Sequence, residues 1–156
     1  MSQDRPKPAA LLVVMLMLVG MRAQEPKFDP ARDADKDIRA AVAEAKAAHK
    51  RVILDVGGEW CGWCHALDKF YATHDELRAY RDKHFVWLKV NFSPENTNQA
   101  VLSRYPTING YPHLFVLESD GTLLHSQDTS PLEEGPAYNL DRMMEFLVKW
   151  TDRRRE

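Results

Sequence analysis

The residues best suited to carry chemistry in this 156-residue chain are two cysteines, which stand three positions apart in Cys61-Gly62-Trp63-Cys64. The sequence contains no other cysteine. A disulfide between such near neighbours closes almost no loop, so it would add little to the stability of the fold. Reactivity therefore explains the pair better, and it leaves thiol–disulfide exchange, haem attachment and metal binding to be weighed.

The sequence around the cysteines favours thiol chemistry. A β-branched run, Arg51–Val56, predicts a buried strand, and Gly57-Gly58 breaks it just before the motif. We expect a helix to begin at the motif, so that Cys61 faces unpaired backbone N–H groups and the positive end of the helix dipole. Both favour the thiolate, which makes Cys61 the nucleophile. Cys64, one turn further on, is placed to attack a mixed disulfide from within the helix.

Haem attachment is the main rival, because Cys61-x-x-Cys64-His65 also matches the motif that binds c-type haem covalently. Met143 or Met144 would then be a candidate for the second axial ligand. The motif follows a strand, however, and the chain beyond it alternates between strand and helix patterns, unlike a small helical cytochrome. A structural zinc site commonly needs four ligands in paired sets, and the sequence has no second cysteine pair.

The rest of the chain predicts helices and strands in alternation. Apolar residues recur at helical spacing from Ala34 to His49. Two strands joined through a helix are expected to pair in parallel, and Asp120-Gly121 predicts a hairpin that adds antiparallel strands. The remaining predicted elements are a helix from the motif to about 83 with a break near 74, strands at 85–90, 113–117 and 122–125, a short helix at 96–105, a loop at 126–137 and a last helix at 140–151.

The N-terminus predicts export. Arg5 and Lys7 precede an unbroken apolar run, Ala9–Val19. A basic start, a short apolar stretch and a small residue at the cleavage point are typical of a secretory signal peptide, here over residues 1–23. The run is short for a membrane span, which needs about 20 apolar residues. Met21 occupies the minus-three position, where a small residue is preferred, so an uncleaved N-terminal anchor is the alternative.

Residues 24–156 are expected to form a single domain, because no repeat, low-complexity segment or second set of elements interrupts them. The chain has a net charge of −2, and removal of residues 1–23 makes it more negative. No basic stripe runs through the sequence, and the run Arg153-Arg154-Arg155 is typical of a solvated tail. Composition therefore argues against nucleic acid as a partner.

The segment Glu59-Trp60-Cys61-Gly62-Trp63-Cys64, directly after a strand, resembles the active site of the thioredoxin superfamily. It is most similar to the exported (periplasmic) thioredoxin-like proteins with a W-C-G-x-C motif, and the similarity covers roughly Ile38–Trp150. The resemblance implies an α/β, thioredoxin-like fold with a central mixed β-sheet flanked by helices. It also implies a redox disulfide between Cys61 and Cys64, with no cofactor and no metal.

The resemblance implies further catalytic residues. Asp55, six residues before Cys61, stands where thioredoxins keep a buried acid near the inner cysteine, and Lys89 stands where they keep the lysine beside that acid. Such an acid would accept the proton of Cys64, because burial raises the pKa of a carboxyl group. From the residues alone, Asp55 could also face solvent or cap the Gly57-Gly58 turn, and Lys89 could be an ordinary exposed strand lysine.

Five residues are expected to meet the substrate: Trp60, Gly62, Trp63, Tyr111 and Pro112. Pro112 stands at the family's cis-proline position, where the chain turns beside the disulfide and offers the Tyr111 backbone to a substrate strand. Three aromatic side chains around one nucleophile predict an apolar docking rim, although each could also belong to the core. Gly62-Trp63 replaces the Gly-Pro of thioredoxin, so the resemblance implies the fold but does not fix the substrate or the redox potential.

The sequence thus predicts a periplasmic thiol–disulfide oxidoreductase that acts as a reductase or isomerase on exported proteins. The glycine after the first cysteine favours this direction, because it resembles the reducing members of the family more than the Pro-His oxidants. The resemblance implies a membrane electron-relay protein as the donor, and a monomer is expected. A non-catalytic binding or chaperone module with the same fold is the alternative, since fold does not prove activity.

Overall fold

The computed structural model describes residues 27–152. The predicted signal peptide or anchor at 1–23 lies outside this range, and so does the basic run at 153–155. Between positions 27 and 152, no helix is both long enough and apolar enough to cross a membrane.

The described residues form a four-stranded sheet, a small two-stranded sheet and five α-helices. The main helices and strands follow one another in the predicted order. In chain order the elements are α1 (Ala34–Ala48), β1 (Arg51–Gly57), α2 (Gly62–Thr73), α3 (Asp75–His84), β2 (Phe85–Asn91), α4 (Gln99–Leu102), β3 (His113–Leu117), β4 (Leu123–Asp128), a 3₁₀ turn (Ser130–Leu132), β5 (Glu133–Glu134), β6 (Ala137–Tyr138) and α5 (Leu140–Trp150).

The four-stranded sheet is mixed, with the strand order β2-β1-β3-β4. β1 pairs in parallel with β2 and antiparallel with β3, and β3 pairs antiparallel with β4. The predicted α/β architecture, a central mixed sheet flanked by helices, is therefore confirmed. β1 lies between two other strands, so its residues are buried except at its first position.

The two faces of β1 carry two separate parts of the core. Alternate residues of a strand point to opposite faces, and Val52, Leu54 and Val56 pack with α1 on one face. Ile53 packs on the other face with residues of α2, α3 and α5. Asp55 shares the face of Ile53, so the strand period brings a carboxylic acid beneath α2.

The helix that follows the motif is divided at His74, as the sequence predicts. α2 begins at Gly62 with Cys61 as its N-cap, and α3 begins at Asp75. His74 leaves the helical region, with φ −121° and ψ 81°, and its ring Nδ1 lies 2.7 Å from the carbonyl oxygen of Phe70. Both helices then cover the same face of the sheet.

The prediction of a loop over 126–137 is wrong. β4 continues to Asp128, and the 3₁₀ turn and the β5–β6 hairpin follow it. The strand is longer because Ser126, Gln127 and Asp128 pair with β3. Their small or polar side chains give no strand pattern, so only the presence of β3 beside them selects the extended conformation.

The helix predicted over 96–105 is shorter than expected, because α4 spans only Gln99–Leu102. Asparagine side chains hold the preceding residues in a turn instead. The Asn91 amide donates to the Asn96 carbonyl oxygen at 2.9 Å, and the Asn98 amide donates to the Asn91 carbonyl oxygen at 2.6 Å. Asparagine competes for backbone groups in this way and so favours turns over helix.

Candidate active site

Cys61 and Cys64 lie at the start of α2 and are joined by a disulfide bond, with their Cα atoms 5.2 Å apart. Cys61 has an extended backbone, and its Sγ accepts a hydrogen bond from the Cys64 N–H at 3.1 Å. The exposed fraction is 4% for Cys61 and 1% for Cys64. The predicted position of the motif at a helix N-terminus is therefore confirmed, and Cys64 is the more deeply buried of the two.

Close packing surrounds the inner sulfur. Phe28, from the segment before α1, is buried and packs in one apolar cluster with Cys61 and Cys64. Gly57 ends β1 beside them: a Cβ atom there would stand 2.4 Å from the Cys64 Sγ and 3.1 Å from the Phe28 ring. Only a residue without a side chain fits this position, so Gly57 determines how closely α2 approaches the sheet.

A buried group of charges lies on the same face of β1, two residues before Gly57. The Lys89 Nζ lies 3.3 Å from Asp55 Oδ2 and 2.6 Å from Asp68 Oδ1. Asp68 stands on α2 one turn after Cys64, so the lysine joins the strand to the helix that carries the cysteines. Asp55 is 1% exposed and Lys89 is 7% exposed. The interpretations of Asp55 as solvent-facing and of Lys89 as an exposed strand lysine are therefore wrong.

The two oxygens of Asp55 differ in their surroundings. Trp87 Nε1 donates to Oδ2 at 3.3 Å, whereas Oδ1 is buried and has no hydrogen-bond partner within residues 27–152. Burial raises the pKa of Asp55, and the charge of Lys89 opposes this rise only in part. Burial alone would lower the pKa of Lys89, but Asp55 and Asp68 outweigh it and raise that pKa. The lysine therefore stays charged, and Asp55 is the member best able to take up a proton.

Aromatic side chains lie on the outer side of the disulfide. Trp60 is 54% exposed, and its Nε1 donates to the Phe92 carbonyl oxygen at 2.7 Å. Tyr111 meets the Trp60 ring edge to face at 5.5 Å, stacks on Phe92 at 4.9 Å and packs against the cysteines. The Tyr111–Pro112 peptide bond is cis, and Thr129 Oγ1 donates to the Pro112 carbonyl oxygen at 3.0 Å. We call Trp60, Phe92 and Tyr111 the aromatic rim.

Trp60 lines two open clefts. One, of about 350 Å³, is lined by Trp60, Phe92, Ser93, Pro94 and Thr97. The other, of about 340 Å³, reaches from Trp60 to Phe28 and the turn at 93–95. These clefts extend the apolar surface of the rim along the turn that follows β2.

Trp63 and His65 do not belong to the aromatic rim. Trp63 is half-buried, its ring meets Tyr138 edge to face at 5.6 Å, and the Tyr138 hydroxyl donates to its carbonyl oxygen at 3.3 Å. Trp63 therefore packs against the core as well as against the disulfide. His65 is exposed, and its Nε2 lies 2.7 Å from the Glu59 carbonyl oxygen, against the backbone of the motif itself.

Sequence reasoning missed three residues of this site: Phe28, Asp68 and Phe92. Helical spacing gives a signal for Asp68, because it follows Cys64 by four positions and so shares its helix face. Phe92 lies just beyond the predicted strand at 85–90, and its contact with Tyr111 has no signal in the sequence. Phe28 stands in a stretch whose pattern predicts only an extended lead-in to the domain.

We predict that Gly57→Ala destabilises the oxidised protein and that Gly62→Ala does not. The new methyl group at position 57 would overlap the Cys64 sulfur, and overpacking of this kind typically costs about 1–3 kcal/mol. At Gly62 nothing lies within 4 Å of the corresponding Cβ position, so alanine fits there in open space. Urea denaturation measures the difference. Equal free energies of unfolding for the two variants would contradict the close packing described for Gly57.

Comparison with known proteins agrees with this geometry. A family model described as Thioredoxin-like matches residues 33–119, which is more than half of the chain. A sequence search of curated proteins gives no match. Similar solved structures include a disulphide isomerase from Xylella fastidiosa Temecula1, with a TM-score of 0.65 and 27% identity over 81% of this chain and 98% of that chain.

Two further structures share the fold at lower identity. The C-terminal domain of DsbD from Neisseria meningitidis, in its oxidised form, has a TM-score of 0.56 and 22% identity over 80% of this chain and 99% of that chain. A DsbH oxidoreductase has a TM-score of 0.51 and 19% identity over 83% of this chain and 85% of that chain. Since the family model spans more than half of the sequence and the observed fold agrees with it, this chain belongs to the thioredoxin-like family.

Proposed function

We propose that this protein is a thiol–disulfide oxidoreductase that reduces or isomerises disulfide bonds of exported proteins. The observation that carries the proposal is the Cys61–Cys64 disulfide at the N-terminus of α2, on the face of the sheet that buries Asp55. The similarity to a solved disulphide isomerase supports the same class of reaction.

In the reduced protein Cys61 is the nucleophile. Its sulfur stands at the positive end of the α2 dipole and within reach of the Cys64 N–H, both of which stabilise a thiolate. The thiolate attacks one sulfur of a client disulfide. The bond between Cys61 and the client forms, the client S–S bond breaks, and one client thiolate leaves.

Cys64 completes the reaction from inside the helix. It gives its proton to Asp55 and attacks the Cys61 sulfur, so that the Cys61–Cys64 bond forms and the second client thiolate leaves. The client gains two electrons and the protein loses two. Asp55 suits this role because it is buried, its Oδ1 has no hydrogen-bond partner within the described residues, and burial raises its pKa. Lys89 limits that rise, so the carboxylate is available to accept the proton.

Clients dock on the aromatic rim. Its exposed member, Trp60, lines two clefts, each of which has room for a side chain of an extended segment. The backbone of Tyr111, followed by Pro112, offers hydrogen-bonding groups to such a segment. Gly62 has no side chain and leaves the approach to the disulfide open. Trp63 is half-buried against the disulfide, and we propose that its exposed part also meets the client. Protein thiols and disulfides are therefore the proposed substrates.

The proposed place of action is the periplasm, or the outer face of the inner membrane if the leader is retained. This proposal is supported by the signal-like sequence of residues 1–23, with its basic start and its apolar run. Each net reduction of a client leaves the protein oxidised, so a dithiol donor must reduce it again. A membrane electron-relay protein is the proposed donor, and the protein is proposed to work as a monomer.

Haem attachment gains no support from the site. Both sulfur atoms that would bind the vinyl groups are bonded to each other, and the Cys64 sulfur is enclosed by Phe28 and Gly57. His65, the proposed axial ligand, has its Nε2 against the Glu59 carbonyl oxygen.

Serine variants of the two cysteines test the proposed chemistry. Cys61→Ser is expected to abolish reduction of a protein disulfide, because it removes the nucleophile. Cys64→Ser is expected to retain the first step and to accumulate a mixed disulfide with the client, which a non-reducing gel detects. Full cellular function of Cys61→Ser would contradict the proposal and favour a non-catalytic binding or chaperone module.

The redox potential tests the direction of electron flow. We expect a value of about −270 mV, which is typical of a reductant of the thioredoxin type. Equilibration with glutathione buffers, followed by alkylation and mass measurement of Cys61 and Cys64, gives the potential. A value of about −120 mV would identify the protein as an oxidant and would contradict the reductase role.

Asp55→Asn is expected to stabilise the oxidised protein at pH 8 more than at pH 4. The folded-state pKa of Asp55 is raised above its ordinary value of 3.8, so the folded protein holds this proton more tightly than the unfolded chain does. Wild-type stability is therefore lost as the pH rises through the raised pKa, and asparagine avoids that loss.

Urea denaturation at both pH values measures the effect of Asp55→Asn. Glu145→Gln, at an exposed position of α5, is the control and should give the same small change at both pH values. A stability difference for Asp55→Asn that does not depend on pH would contradict the raised pKa.

A further inference from the structure

Phe28 is a part of the site to which the proposed function gives no role. It stands before the matched range 33–119, in the segment that precedes α1, yet its exposed fraction is 2%. Its ring packs with Cys61 and Cys64, and the Lys89 Nζ lies 3.9 Å from the ring centroid. Residues near the end of a domain are usually poorly held unless specific contacts fix them. The contacts of Phe28 are with the reacting sulfurs and with the buried charges.

The backbone around Phe28 is fixed by the motif and by the turn after β2. The carboxylate of Glu59, two residues before Cys61, accepts the Phe28 N–H at 2.8 Å through Oε1. Asn96 Nδ2 donates to the Pro30 carbonyl oxygen at 2.9 Å. These bonds hold the ring at one place on the sheet, where the missing side chain of Gly57 leaves room for it.

We propose that Phe28 is a positioning residue for the thiol exchange: its ring covers Cys64 and holds the Lys89 ammonium against Asp55 and Asp68. The inference rests on the proposed function, since it concerns the same cysteines. An aromatic face attracts an ammonium group, and most strongly where water is excluded. Without the ring, water reaches Cys64 and the charged group, and Lys89 loses one of the contacts that fix its position.

The charged and titratable groups around Asp55 come from three elements. Lys89 lies on β2, Asp68 and Cys64 lie on α2, and Tyr138 of β6 is close enough to interact electrostatically with both carboxylates. The Phe28 ring packs beside these groups and carries no charge of its own. Its removal therefore changes the access of water and leaves the number of charges unchanged.

Alkylation of Cys64 tests the cover without relying on catalysis. The Cys61→Ser background leaves Cys64 as the single thiol of the chain, and its rate of reaction with iodoacetamide at pH 8 depends on its exposure. Adding Phe28→Ala is expected to raise this rate about fivefold or more, because water and reagent gain access. Phe28→Tyr keeps an aromatic ring and is expected to leave the rate within about twofold.

Phe85→Ala is the matched control for a general loss of packing. Phe85 is also 2% exposed, but it lies at the opposite end of the sheet, in register with Arg51 rather than with Gly57. An equal rise in the two alanine variants would overturn the proposal, and so would an unchanged rate in Phe28→Ala. If an alanine variant fails to fold, Phe28→Leu is compared with Phe85→Leu under the same criteria.

The pH dependence of exchange, with both cysteines present, tests the contact with the charges. Burial raises the pKa of Asp55, so we expect the rate of thiol–disulfide exchange by the wild-type protein to fall at low pH as Asp55 takes up a proton. We call this decline the acid limb. Access of water lowers that pKa. A less firmly held Lys89 would raise it, but burial is the largest cause of the raised pKa, so the effect of water is expected to be the larger one. Phe28→Ala is therefore expected to move the acid limb to lower pH, and Phe28→Tyr and Phe85→Ala are expected to leave it in place.

The activity of the wild-type protein separates the test of the proposed function from the test of Phe28. A wild-type protein without exchange activity would contradict the proposed function itself. An active wild-type protein whose acid limb is the same in Phe28→Ala would overturn the positioning role of Phe28 and leave the proposed function intact.

Discussion

Lys89 links the strand and the helix that together form the site. Its ammonium lies between Asp55 of β1 and Asp68 of α2, and all three side chains are shielded from water to a large degree. When all three groups are ionised, the two carboxylates and the ammonium carry a net charge of −1. A net charge is unfavourable where water is largely excluded. One added proton removes that charge. The group is therefore a place where a proton can be stored at low cost, beside the cysteine that must lose one.

The same short strand serves both the core and this group because its side chains alternate. Val52, Leu54 and Val56 pack on the α1 face, while Ile53 and Asp55 point beneath α2. A shift of one residue in pairing would exchange the faces and place the acid among the apolar residues of the α1 side. The register of β1 with β2, which sets Asp55 opposite Lys89, is thus fixed by the core and used by the site.

The order of the main elements and the position of the cysteines could be predicted from local patterns. The run Arg51–Val56, the glycines after it and the motif are contiguous, so their relation needs no knowledge of distant residues. Phe28 lies 31 positions from Glu59, whose carboxylate holds it, and no local pattern records such a contact. Residues 126–128 likewise become a strand only because β3 lies beside them. Phe28 and the strand at 126–128 were thus missed because contacts between distant parts of the chain set them, whereas helical spacing alone gives a signal for Asp68.

The anchoring of Phe28 beside the disulfide has a consequence for where the reaction can take place. Residues 20–27 separate the apolar run that ends at Val19 from Phe28, and a chain spans at most about 3.5 Å per residue. A leader retained in the membrane would keep Cys61 and Cys64 within about 30 Å of the bilayer surface, in range of membrane-bound partners. Cleavage would release the same disulfide to diffuse. One proteolytic cut would then change the set of proteins that the site can reach and leave its chemistry the same.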